Sequence, residues 1–187
     1  MPLQYSQEYW DNYYDGPYEK TFNSGFYLDL ILKKCYRPVF GKNPASFADI
    51  GCGPGQTLNE AQRLLGPSAK VYGVECQEIP PERQTSPNII FGNFLEIYKK
   101  LEPVDLLYVA CSMYIPWDQQ AEFVNAARQL TKKAAIFANV YLTDKYNIPQ
   151  DPLRKVIYKS RDSFGAAVKP YGFNLHNRFY DFYTINL

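Results

Sequence analysis

The sequence predicts an α/β fold: a three-layer sandwich in which helices cover both faces of an open, mostly parallel, doubly wound sheet. Three observations carry that expectation. Short apolar runs recur along the chain with helix-like stretches between them, the pattern of repeated β–α units. The runs are mostly apolar throughout, as strands covered on both faces are. The first run ends in the glycine cluster "DIGCGPG", directly ahead of a helical stretch, where sheets of this kind receive ligands.

The elements follow in order. Residues 1–40 form an aromatic arm and a helix, "SGFYLDLILKKCYRPVF", with Ser24 as its cap. Phe26, Leu30 or Ile31, and Cys35 approximate its apolar stripe, and Pro38 is expected to end it. Strands are predicted at Ser46–Gly51, Lys70–Glu75, Ile89–Phe91, Val104–Cys111 and Ala134–Tyr141. "GQTLNEAQRLLG" reads as the helix after the first strand, closed by Gly66. Residues 76–88 hold Pro80, Pro81 and Pro87, so an extended loop or a single turn is expected there instead of a helix. "DQQAEFVNAARQLTKK" reads as a helix capped by Asp118, with Lys132 and Lys133 at its negative end. "DPLRKVIYKSRDSFGAAVKPYGF" reads as another, with Asp151 as cap and Pro152 at its first position. The tail "FNLHNRFYDFYTINL" suits one or two closing strands.

The 187 residues favour one domain, 1–187, large enough to bury a core without staples. Lys+Arg 20 against Asp+Glu 19 leaves a net charge of +1, which gives no electrostatic footprint for nucleic acid or an anionic membrane. Cys35, Cys52, Cys76 and Cys111 form no CxxC pair, so spacing argues against zinc and no metal is expected. Four cysteines allow two bridges, but Cys52, Cys76 and Cys111 beside predicted strand ends read as reduced thiols. "MPLQYSQEYW" lacks the basic start and apolar core of a signal peptide, and no apolar run is long enough to span a bilayer. A cytoplasmic location is the expectation. His176, the sole histidine, reads as structural or surface.

Gly51, Gly53 and Gly55 at alternate positions imply close approach to the main chain. The dinucleotide fingerprint G-x-G-x-x-G is not met: the chain reads G-C-G-P-G-Q, with Gln56 in the sixth place. The D-I-G-C-G-P-G arrangement instead resembles motif I of class I S-adenosylmethionine-dependent methyltransferases, a Rossmann-like family. The resemblance extends to Glu75 closing "KVYGVE", to "FGNF" at Phe91–Phe94, and to "DLLYVACSMY" at Asp105–Tyr114. It covers about residues 46–141, and it implies a sheet of roughly seven strands.

The resemblance implies S-adenosylmethionine as cofactor and a set of roles. Gly51, Gly53 and Gly55 would lie against its methionyl part. Asp49 would organise that loop and meet the ammonium. Glu75 would accept from both ribose hydroxyls, Asn93 would meet the adenine amino group, and the Phe94 amide would donate to the ring. Cys111 joins these positions as a buried thiol. Asn93 departs from the family's commoner aspartate, and the missing helix after Glu75 is a second departure, with Ile79 a candidate apolar lid. Methyl transfer from a sulfonium asks the protein mainly for positioning. Tyr114 and Ser112 are the candidate bases, and Tyr9, Trp10, Tyr14 and Tyr114 the candidate acceptor contacts. The aromatic arm, including Tyr5, Tyr13 and Tyr18, is expected to cover the site. A small-molecule acceptor ranks first and a protein or peptide second. A non-catalytic binding module and a nicotinamide-dependent oxidoreductase are the competing readings.

Overall fold

Seven strands form in chain order: β1 (Ser46–Ile50), β2 (Lys70–Glu75), β3 (Ile89–Phe91), β4 (Val104–Val109), β5 (Thr131–Phe137), β6 (Phe173–Asn177) and β7 (Phe182–Ile185). In the computed structural model, described over residues 24–109, 111, 115–138, 158 and 160–185, they make one sheet in the order β3-β2-β1-β4-β5-β7-β6. The pairs among β1–β5 are parallel, whereas β7 runs antiparallel to both β5 and β6. The strand order therefore reverses direction between β1 and β4, and the crevice of such a sheet opens there, at the carboxyl edge.

Helices occupy both faces, as expected. The described ones are α1 (Ser24–Ile31), α2 (Arg37–Phe40), α3 (Gln56–Leu65), α4 (Phe94–Ile97), α5 (Gln120–Leu130) and α6 (Arg161–Val168). Because strand side chains alternate between faces, neighbouring residues feed opposite cores. Phe47, Leu106, Tyr108, Ala134 and Ile136 pack with Leu28, Ile31, Leu32, Cys35 and Tyr36 of the N-terminal helical segment and with Leu58 and Ala61 of α3. Ala48, Ile50, Leu107, Val109, Ala135 and Phe137 pack with Phe94 of α4, with Phe123 and Ala127 of α5, and with Phe164 of α6. Phe137 is the hub of an aromatic knot, edge-on to Phe164, Phe173 and Tyr183 with ring centroids 5.2, 5.1 and 5.6 Å away. No described helix is long and apolar enough to cross a membrane.

Several boundaries differ from the sequence expectation. Pro38 does not end the first helix. The chain passes from α1 through a π-helical segment, Leu32–Tyr36, into α2, which contains Pro38. Wider π turns relieve the clash between the proline ring and the preceding turn's carbonyl. Gly41 ends the helix instead, at φ +71, its N–H bonded to the Arg37 carbonyl at 2.8 Å. Lys132 and Lys133 belong to β5, not to the end of a helix. The β-branched Thr131 turns the chain straight from α5 into β5, and its hydroxyl donates to the Ala127 carbonyl at 2.7 Å, tying off the helix end without a loop.

Asp118 is not a helix cap: it lies in a 3₁₀ turn, Trp117–Gln119, and α5 begins beyond it without a side-chain cap. The predicted cap Asp151 and Pro152 lie outside the described residues. The helix that is described starts later, at the extended Ser160, whose hydroxyl accepts from Ser163 N–H while Ser163 reaches back to the Ser160 N–H. β1 and β4 stop at Ile50 and Val109, short of Gly51 and Cys111, because the chain turns off the sheet to form the site. Residues 76–88 hold only the single turn Pro81–Arg83, and the tail forms the β6–β7 hairpin.

Candidate functional site

The parallel register sets Ile50 beside Val74 on one side and Val109 on the other, so β1, β2 and β4 deliver their next residues to one place. Gly51 and Cys52 leave β1 by donating both backbone N–H groups to the Val74 carbonyl, at 2.8 and 3.2 Å. Gly51, Gly53 and Gly55 all hold positive φ, at +80, +52 and +92°. The close approach inferred from these glycines is partly made by the protein itself. A Cβ on Gly51 would stand 2.5 Å from Cys111 Cβ, and one on Gly55 would stand 2.8 Å from Ser86 Cβ. The turn is gripped from both sides.

Glu75, 4% exposed, is the clamp. One carboxylate oxygen accepts the Gly53 N–H at 2.9 Å and the other accepts the Gln77 N–H at 3.0 Å. That second oxygen, Oε1, also accepts the Cys76 thiol at 3.5 Å, so Oε2 is the oxygen that keeps a lone pair for a further donor. Asp49 reaches the first turn of α3 through the Thr57 hydroxyl. It is 2% exposed, and its Oδ1 has no hydrogen-bond partner among the described residues. Burial pushes its carboxyl up to about 8, the Thr57 bond opposing and the nearby Glu75 charge adding to the rise.

Residues 76–88 replace the missing helix with a strap. Thr85 donates both its N–H, at 2.8 Å, and its hydroxyl, at 2.9 Å, to the Pro54 carbonyl. Ile79 is buried within the same segment, which fits an apolar wall. Asn93 caps α4: its Oδ1 accepts from Leu95 N–H at 3.1 Å, which leaves one lone pair on that oxygen, and its Nδ2 donates to Glu96. Phe94 buries its ring against Phe123, 5.3 Å between centroids, and its N–H, at the first position of α4, has no acceptor within the helix. Cys111 is half-buried against Gly51, and its thiol is pushed well above the ordinary value by burial first and Glu75 second, so it stays protonated at neutral pH.

The structure thus gathers Asp49, Gly51, Gly53, Gly55, Glu75 and Cys111 around one turn, with Asn93 and Phe94 following β3, the neighbour of β2. Tyr9, Trp10, Tyr14, Ser112 and Tyr114 lie outside the described residues. The N-terminal end of α1 stands at the same carboxyl edge, where the Tyr27 hydroxyl meets the Tyr180 carbonyl of the β6–β7 turn at 3.4 Å. Sequence reasoning missed Thr57, Gln77, Thr85 and Ser86. None carries a motif, and only the folded strap and the register show where they sit.

No protein-family model matches the chain, and no curated protein matches it. Solved structures do. The chain is similar to the plantazolicin methyltransferase BpumL, crystallised with a triazolic desmethylPZN analog and SAH, at TM-score 0.59 and 18% identity over 71% of this chain and 52% of that one. It is similar to a SAM-dependent methyltransferase from Archaeoglobus fulgidus, at TM-score 0.58 and 18% identity over 88% and 73%. It is also similar to the magnesium protoporphyrin IX methyltransferase ChlM from Synechocystis PCC 6803, with bound SAH, at TM-score 0.55 and 14% identity over 95% and 93%. The chain spans about half the length of the plantazolicin enzymes. The fold is that of the class I S-adenosylmethionine-dependent methyltransferases.

Proposed function

We propose that the protein is an S-adenosylmethionine-dependent methyltransferase with a small-molecule acceptor. One observation carries this reading: the glycine turn at the switch point is clamped by Glu75 beside a buried Asp49 whose Oδ1 has no partner among the described residues. An acceptor atom left bare beneath such a turn fits a ligand bearing an ammonium or sulfonium group, since an unsatisfied buried oxygen costs about 1–3 kcal/mol. S-adenosylmethionine, when bound, supplies a methyl group on a positively charged sulfur.

The chain's own groups then bind and orient. The positive-φ turn presents main chain without side chains, and Asp49 offers negative charge to the cation. Glu75 Oε2 holds a spare lone pair for one ribose hydroxyl, and Oε1 can exchange its weak Cys76 thiol bond for the other. The Asn93 oxygen and the Phe94 N–H serve the base, and Cys111 fills space as a thiol. Holding acceptor and methyl group in line is worth up to about 7–11 kcal/mol in well-oriented systems. Tyr9, Trp10 and Tyr14 of the arm, with Tyr114, remain the proposed acceptor contacts, and Tyr114 or Ser112 the proposed base where the acceptor must lose a proton. Near-neutral charge favours a small molecule over nucleic acid.

Thermal shift tests the reading. S-adenosylhomocysteine at a hundredfold excess over its Kd adds about 2.7 kcal/mol, a rise of about 5–11 °C for a chain of this size. NAD should give no shift, and Glu75→Ala should lose most of the S-adenosylhomocysteine effect. A shift with NAD alone overturns the assignment. Transfer of labelled methyl from S-adenosylmethionine into a cell extract then separates an enzyme from a binding module.

A further inference from the structure

Gln77 stands two residues past Glu75 at the carboxyl end of β2, beside the turn, and is 2% exposed. Its main chain is committed: the N–H donates to Glu75 Oε1 at 3.0 Å. Its side chain lies beside the Cys76 thiol, a weak acceptor. Nε2 is buried and makes no hydrogen bond among the described residues. A buried primary amide without a partner is costly, and native structures keep few of them. Asp49 Oδ1 and Gln77 Nε2 are both buried without a hydrogen bond among the described residues, and each residue neighbours the buried Glu75.

The hydrogen-bonding chemistry of a sugar explains what a donor is for here. A ribose hydroxyl both donates and accepts, whereas an ionised carboxylate only accepts. Glu75 takes the hydroxyl hydrogens but leaves their oxygen lone pairs unanswered. The N–H groups of Gly53 and Gln77 cannot answer them, because both are spent on Glu75 itself. We propose that the Gln77 side-chain amide is a ligand-recognition group, donating Nε2–H to a ribose hydroxyl oxygen of the bound nucleoside while Glu75 accepts from the same sugar. The inference rests on the functional reading above and adds to it a residue that no motif marks.

Replacing Gln77 by methionine keeps length and removes the amide. The experiment is titration calorimetry of wild type and Gln77→Met with S-adenosylhomocysteine and with its 2′-deoxy and 3′-deoxy analogues, alongside the Tm of each unliganded protein. Gln77→Met should weaken S-adenosylhomocysteine about tenfold, the scale of one hydrogen bond. Against the analogue lacking the hydroxyl that Gln77 serves, it should change affinity less than twofold. The unliganded variant should melt at or above the wild-type temperature, because the amide it lacks had no partner to lose. Unchanged affinity, an equal loss against all three ligands, or a marked fall in Tm overturns the proposal and makes Gln77 a structural residue. Wild type that binds none of the three ligands overturns the methyltransferase reading itself.

Discussion

Asp49 sits where two demands conflict. Burial under the turn favours its neutral form, while the proposed ligand needs its charge. With the carboxyl pushed up to about 8, from about 3.9 in an unfolded chain, the folded state binds the extra proton across that interval. Stability then falls as pH rises from about 4 to about 8 and levels off above. The groups sharing its field are Glu75 of β2, Tyr108 of β4, and Cys52 and Cys111 in the connecting turns. Urea denaturation at pH 5 and pH 8 should show a loss of stability in wild type that is smaller in Asp49→Asn. An identical slope in the two proteins removes Asp49 as its source. Binding of a cation should run the other way, tightening with pH as the proton leaves. This residue was legible in "DIGCGPG" as an acid beside a glycine turn, but its bare oxygen and its bond to Thr57 were not, since they depend on where α3 docks.

At the scale of elements, capping chemistry decides where helices begin and end, and it was the least legible feature. Three strong local signals, Pro38, Asp118 and the Lys132–Lys133 pair, each pointed to a boundary that the fold places elsewhere. In each case tertiary packing wins: a π segment carries the chain past Pro38, a 3₁₀ turn holds Asp118, and β5 takes in the lysines at the irregularity of its ladder with β4, between Thr131 and Ala134. The strand cores at Lys70–Glu75 and Ile89–Phe91 were read correctly because a short apolar run between turn residues admits few alternatives. Ser160 shows a cap that does operate. Ser160→Ala removes one half of the reciprocal pair with Ser163 and should cost about 1 kcal/mol in a chemical denaturation curve. The glycine turn after β1 lies several strands across the sheet from the β6–β7 turn that α6 meets through Arg161 and Asp181, so affinity for S-adenosylhomocysteine should stay within about twofold of wild type.

For the molecule as a whole, the alternating strands feed two cores, and the parallel register brings the ends of β1, β2 and β4 together. That much follows from the periodicity of the apolar runs, and the site's place at the switch point follows with it. What the runs do not reveal is that β7 inserts between β5 and β6, pairing Ala134–Ile136 with Phe182–Thr184. This order has a temporal consequence for a nascent polypeptide. During vectorial synthesis β5 is made before β7, so one of its flanks waits unpaired until Phe182–Ile185 follow. Chains stopped after Tyr180 should retain that open flank and aggregate through it, which sedimentation of stalled or truncated products would reveal.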